Sequence, residues 1–145
     1  AGSLQLLPKT IKDPILVMNA DVLTKFDLNY LLNFHYKRRA KATLSVLQSE
    51  FQIPFGVVKT KGNKLVDFEE KPIHKHIVNA GIYIINAEIL SLVKKDEFLD
   101  MPDLMMRALK SKQKILVCPI HEYWIDIGLP DKLNQVVSDI KDKTI

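Results

Sequence analysis

The order in which short apolar runs and amphipathic stretches follow one another constrains this chain most. SLQLL reads as a helix and ILVMN as a strand; DLNYLLNFHYKRR then places Leu28, Leu31, Leu32 and Phe34 at helical spacing, before ATLSVLQ returns to a strand pattern. FGVVKT and KLVDFEE follow, with Lys61, Gly62 and Asn63 between them as turn residues, the pattern of a β-hairpin. VNAGIYIIN reads as a strand, AEILSLVKK and MPDLMMRALKSK as helices, KILVCPI and YWIDI as strands, and a closing helix runs from Pro130 to Asp142. Asp27 is placed to cap the second helix and Pro130 to open the last. Strands separated by helices, with one hairpin inserted, predict an α/β domain built on a mixed sheet with helices on its faces.

Length supports a single domain over residues 1–145, since a chain of this size hides roughly 70% of its unfolded surface. An apolar fraction of 47% with 26% charged residues is that of a globular protein, and no apolar run approaches the roughly 20 residues a bilayer requires. Neither a membrane span nor a signal peptide is expected. The single cysteine, Cys118, lies in the apolar run KILVCPI, so a buried strand thiol in reducing, cytoplasmic surroundings fits better than a nucleophile. The net charge of +4 is dispersed, whereas nucleic-acid binding usually shows a basic stripe with stacking aromatics, so no nucleic-acid partner is expected. The basic stretch HYKRRAK, His35 to Lys41, fits a solvated helix end whose cations suit the negative end of the dipole, and it leaves open a basic site for phosphorylated small molecules.

Polar residues close several of the strands. Asp21 follows ILVMN and Asp126 ends YWID, and two hard carboxylates arriving from separate strands are a common way to hold Mg²⁺ beside a phosphate. Aspartates there also cap turns, which from spacing alone is the commoner role. In FEEKP, Lys71 offers a compact positive charge and Glu70 an acceptor for hydroxyls, against the ordinary alternative of an ion pair at a hairpin end. Asn79 and Gly81 stand inside an apolar strand; a glycine there marks close approach by a ligand or by another backbone, and an asparagine needs a partner when buried, either a sugar hydroxyl or backbone. His74 and His76 form an HxH pair without a third ligand of matching type, so a loop or strand edge fits better than zinc. The five glycines, at 2, 56, 62, 81 and 128, form no GxGxxG or P-loop pattern, and no serine sits in a nucleophile elbow.

Taken in order, AGSLQLL, ILVMNADVLT, FGVV, FEEKP, VNAGIYIIN, DMPDLMMRAL and EYWIDIGLPDKL resemble the sugar-1-phosphate nucleotidyltransferases. They are most similar to the mannose-1-phosphate guanylyltransferase-like branch, whose members often carry CBS domains ahead of the catalytic domain. The resemblance implies a Rossmann-like, GT-A-like nucleotide-diphospho-sugar transferase fold, of which these residues would form the C-terminal, sugar-phosphate-binding part. The family's triphosphate-binding GxGxR loop and its following lysine precede the LGTAG segment within which this sequence starts. These residues alone are therefore expected not to turn over.

The resemblance also implies roles. Asp21 matches the aspartate of the NGD motif, with Ala20 in place of glycine, and Asp126 that of WxDxG; together they would hold the catalytic Mg²⁺. Glu70 and Lys71 match the EKP pair that holds sugar hydroxyls and sugar phosphate, which makes Asp21, Lys71 and Asp126 the catalytic set. Asn79 and Gly81 match the NAG of the sugar pocket, Gly56 the glycine of FGVV facing the sugar, and Gly2 the end of LGTAG near the nucleotide. The implied partners are an NTP, with GTP favoured, a hexose 1-phosphate, and further copies of the chain in a homo-oligomer. A homologue that binds sugar phosphates without chemistry is the alternative.

Overall fold

The computed structural model describes residues 1–142. Strands β1 (Ile15–Met18), β2 (Val22–Thr24), β3 (Ala42–Gln52), β4 (Val57–Lys61), β5 (Lys64–Glu69), β6 (Ile73–Ile85), β7 (Ile115–Pro119) and β8 (Trp124–Asp126) alternate with helices α1 (Leu28–Arg38), α2 (Ala87–Leu90), α3 (Met101–Lys110) and α4 (Pro130–Lys141). The main sheet has the order β1-β6-β3-β7; β1 and β6 are antiparallel, β3 and β7 parallel, so the mixed sheet of the α/β expectation is present. β2 pairs antiparallel with β8, and β4 with β5.

The chain divides into two compact units, one of residues 1–46 with 79 onward, the other of residues 47–78. In the larger, Ala42, Tyr83, Ile85, Ile89, Val93, Leu99, Leu104, Met105 and Ala108 form one buried cluster that joins β3 and β6 to α2 and α3. Leu31 is buried on α1, on the face the helical spacing predicted; His35, one turn further, is buried as well, against the solvated helix end expected over HYKRRAK, because its two ring nitrogens find partners in Thr43 and Asn86. Asp27 caps α1 by accepting the Asn29 N–H at 2.8 Å, and Pro130 stands in the first turn of α4, both as expected. Tyr123 ties α4 to the strand region before β8 by donating to Asp139 at 2.6 Å, and the Asp139 carboxylate pushes the phenol up to about 12. Cys118 is fully buried on β7, and burial, with Glu122 adding to it, raises the thiol. The smaller unit contains the expected hairpin, β4 and β5 turning at Gly62 and Asn63, with Gly62 at φ +59, together with the end of β3 and the start of β6.

Five elements differ from expectation, the first being β2, a three-residue strand that no apolar run announced. SLQLL forms a 3₁₀ helix, Gly2–Leu6, whose bonds run from Leu4 N–H to Ala1 and from Leu7 N–H to Leu4 before Pro8 intervenes. AEILSLVKK is helical only over Ala87–Leu90; beyond it the bonds tighten to i→i+3, with the Leu92 N–H on the Ile89 carbonyl and the Val93 N–H on the Leu90 carbonyl at 3.1 Å, while the Ser91 hydroxyl also donates to the Glu88 carbonyl at 2.7 Å. β3 and β6 run well past ATLSVLQ and VNAGIYIIN, because continued strand pairing does not need an apolar pattern.

Arg107 holds the segment before α3 through a fork on Glu97, with Nη1 at 2.6 Å from Oε2 and Nη2 at 2.5 Å from Oε1. The guanidinium, helped by the Lys94 N–H against some burial, holds the Glu97 carboxyl down at about 2. A carboxylate depressed on folding contributes stability above its unfolded value of about 4.5 and loses it as pH falls toward 2. Glu97→Gln is therefore expected to lower the urea midpoint at pH 7, and the gap from the parent should narrow steadily between pH 4.5 and pH 2.5. An unchanged gap across that range would refute the role of the ion pair.

Candidate active site

The site is organised by how β1 ends. Past Met18, the Asn19 N–H still bonds the Gly81 carbonyl at 2.8 Å, extending the β1–β6 ladder, and the chain then turns so that the Val22 N–H reaches the Asn19 carbonyl at 3.4 Å. Asp21 lies in that turn. β2 follows at once and pairs with β8 in a register that sets Val22 opposite Asp126, with the Ile127 N–H on the Asp21 carbonyl at 2.8 Å. Two residues 105 positions apart are thus brought together by a three-residue ladder.

Their side chains converge at Gly128. A Cβ placed on that glycine would stand 3.0 Å from Asp126 Oδ1 and 3.2 Å from Asp21 Oδ2, so both carboxylates face one small volume that only hydrogen occupies. The Gly128 N–H also donates to Asp126 Oδ1 at 2.8 Å, which orients that carboxylate. Asp21 is half-buried and Asp126 exposed. Two carboxylates about a cradle that a methyl group would fill are a donor set suited to a hard divalent cation that keeps waters and takes its remaining oxygens from a phosphate. Among the described residues, no group of three or more His, Cys, Asp or Glu side chains is placed to hold a metal. Such a cation would thus depend on substrate oxygens, as Mg²⁺ commonly does.

Asn79 and Gly81 adjoin this turn. Gly81 has φ +73, and a Cβ there would lie 2.8 Å from Asn19 Nδ2 and 2.9 Å from Asn19 Cγ, so what approaches it is the Asn19 side chain rather than the ligand or backbone its position suggested. Asn79 Oδ1 accepts the Gly81 N–H at 3.1 Å, and its amide nitrogen donates to the Tyr83 hydroxyl. Trp124 Nε1 donates to the Ala80 carbonyl at 2.9 Å and so fastens β8 to β6 two residues before Asp126. Gly2 lies elsewhere in the same unit: its N–H bonds the Leu99 carbonyl at 3.0 Å and an added Cβ would stand 2.4 Å from the Glu97 carbonyl oxygen.

Gly56, Glu70 and Lys71 all belong to the smaller unit. A Cβ on Gly56 would lie 2.4 Å from the Phe68 ring and 2.9 Å from Glu70 Oε2, so the glycine lets both side chains lie across its backbone. Lys71 has φ 47 in spite of its side chain and of the proline that follows, an arrangement held by Gln52, whose Nε2 donates to the Lys71 carbonyl at 3.4 Å, and by the Ile53 N–H on the Pro72 carbonyl at 3.0 Å. Strained backbone of this kind concentrates at functional positions. His74 and His76 are exposed on β6, their rings stacked 6.4 Å apart.

The structure adds Asn19, Trp124, Tyr83 and Gly128 to the residues that shape the site. Gly128 had a visible signal, a glycine two positions after a strand-end aspartate; the roles of Asn19, Trp124 and Tyr83 depend on contacts with distant strands and had none.

Residues 3–143 match the family model described as nucleotidyl transferase. Over 122 residues the chain is 34% identical to a Sulfolobus acidocaldarius protein provisionally named mannose-1-phosphate guanyltransferase, covering 83% of this chain and 33% of that protein. It is 30% identical over 138 residues to a glucose-1-phosphate adenylyltransferase of Desulforamulus reducens, covering 87% of this chain and 35% of the other, and 29% identical over 138 residues to the mannose-1-phosphate guanyltransferase of Pichia angusta, covering 90% and 38%. The chain thus spans little more than a third of the length of these relatives. Among solved structures, HddC from Yersinia pseudotuberculosis superposes with a TM-score of 0.65 at 19% identity, over 96% of this chain and 61% of that one.

Proposed function

Because the chain belongs to the nucleotidyl transferase family, among its sugar-1-phosphate members, we propose that the complete reading frame makes a nucleoside-diphosphate hexose and pyrophosphate from an NTP and a hexose 1-phosphate. The observation that carries the proposal is the pair Asp21 and Asp126, both facing the volume beside Gly128. In this reaction a phosphate oxygen of the sugar attacks the α-phosphorus in line as the bond to pyrophosphate breaks. That oxygen is already anionic, so no side chain has to remove a proton, and catalysis reduces to positioning and charge neutralisation.

Asp21 and Asp126 would hold Mg²⁺, which when bound supplies the charge that lets two phosphates approach. Gly128 keeps the space between the carboxylates clear, and the ladder of β2 on β8 keeps them aligned. Lys71 holds the sugar phosphate and Glu70 accepts bonds from sugar hydroxyls. Asn79 and Gly81, whose own polar groups are engaged within the chain, shape the sugar pocket through backbone, as Gly56 does in its unit, and Gly2 offers backbone beside the nucleotide.

The test is pyrophosphate release by the complete reading frame across four NTPs and a panel of hexose 1-phosphates, with and without Mg²⁺. GTP with mannose 1-phosphate is the pair favoured by the guanyl-named relatives. Release that requires Mg²⁺ and one pair supports the proposal; a folded protein silent across the panel would point to a binder without chemistry. Lys71→Gln is expected to raise the KM for the sugar phosphate by about tenfold, the loss of one charge-assisted bond, with a smaller change in kcat.

A further inference from the structure

A second site lies at the other end of β1. There a cleft of about 420 Å³ opens among Lys12–Pro14, the C-terminal end of α1 and the start of α2. The four residues of β1, at about 3.3 Å each, separate it from the turn that carries Asp21, so it is a different place from the candidate active site.

Its floor is polar and buried. His35, 1% exposed, is bonded at 2.9 Å through Nδ1 to Thr43 Oγ1 and at 2.9 Å through Nε2 to Asn86 Oδ1. The Asn86 amide nitrogen donates to the Ala40 carbonyl, which fixes that amide's orientation; its oxygen can only accept, so His35 Nε2 carries a proton. At the rim, Lys41 is engaged by Glu88 at 2.6 Å, whereas neither Lys12 nor Arg39 forms an ion pair among the described residues. Arg39 is also the left-handed cap of α1, at φ 49 and ψ 46, a position that glycine or asparagine fills at less cost. Arg39 lines the mouth of this cleft at a position where glycine would serve the backbone better.

We propose that this cleft binds a small phosphorylated metabolite, with the phosphate on Arg39 and Lys12 and a hydroxyl on the Asp13 carboxylate. The guanidinium fork matches phosphate oxygens in pairs, the lysine adds a point charge, and the cleft is within the size range of small-molecule sites. Asp13 opposes a bare anion, so a ligand carrying both phosphate and hydroxyl is favoured over phosphate alone. This inference is independent of the nucleotidyl-transfer proposal.

The experiment follows backbone amide spectra of the ¹⁵N-labelled chain during titration with glucose 6-phosphate, inorganic phosphate and glucose. Glucose 6-phosphate is expected to shift the amides of 39–41 and 86–88 saturably, inorganic phosphate more weakly, and glucose not at all. Arg39→Gly should weaken binding about tenfold or more while keeping or raising the melting temperature, since glycine suits that φ. Lys12→Gln, at an exposed position, should also weaken it. Absence of shifts at 39–41 and 86–88 with both phosphates, or shifts that survive both substitutions, would overturn the site. Equal affinity for inorganic phosphate would overturn the role given to Asp13.

Discussion

Asp21→Asn is expected to lower pyrophosphate release by the complete reading frame at least about a hundredfold, the scale on which losing one preorganised charge-stabilising group acts. The fold should not register the change. Asp21 supports the local structure through its backbone, the carbonyl accepting the Ile127 N–H, and that bond survives the substitution. Two like charges face the volume beside Gly128, so removing one relieves repulsion, and the melting temperature should stay level or rise slightly. Mn²⁺ binding by the chain, followed by electron paramagnetic resonance, offers a readout that does not depend on turnover: Asp21→Asn and Asp126→Asn should each weaken it. A near-normal rate in Asp21→Asn would remove these carboxylates from the chemistry; weakened Mn²⁺ binding without any activity in the parent would leave a cation site and no transferase.

Gly81→Val is expected to destabilise the chain by about 3 kcal/mol, read as a lower urea midpoint at unchanged slope. Two costs combine. A β-branched residue is strained at φ +73, and its Cβ would press on the Asn19 side chain at 2.8 Å, where an asparagine bonded into the sheet through its N–H has little room to retreat. Because Asn19 opens the turn that carries Asp21, the destabilisation should be accompanied by weaker Mn²⁺ binding. Gly62→Val is the matching control: Gly62 also has a positive φ, yet nothing lies within 4 Å of an added Cβ, so only the conformational part of the cost remains. Equal losses at the two glycines would show that contact with Asn19 is immaterial.

Much of the architecture was legible from residues alone because it rests on local rules. The period of Leu28, Leu31, Leu32 and Phe34 marks a helix, Asp27 and Pro130 mark helix starts, and Lys61-Gly62-Asn63 marks a hairpin; each is decided within a few residues by backbone sterics and one hydrogen bond. The apolar run around Cys118 likewise announced a strand with a buried thiol. AEILSLVKK misled because its apolar spacing is helical while its backbone tightens to i→i+3 turns after Leu90, where the Ser91 hydroxyl also bonds the Glu88 carbonyl.

Asp21, Asp126, Glu70 and Lys71 could be singled out as candidates from their places at strand ends, and the order of motifs was specific enough to indicate a family. What the amino-acid order determined was therefore most of the helices and strands and the inventory of polar and titratable groups, since these depend on side-chain type and short-range periodicity. Tertiary structure alone decided that Asp21 and Asp126 share the space at Gly128, that Gly81 makes room for Asn19, and that Trp124 binds β8 to β6. Those outcomes depend on strand registers joining residues some 40 to 100 positions apart, and a register is selected by the packing of the whole sheet rather than by any stretch of it.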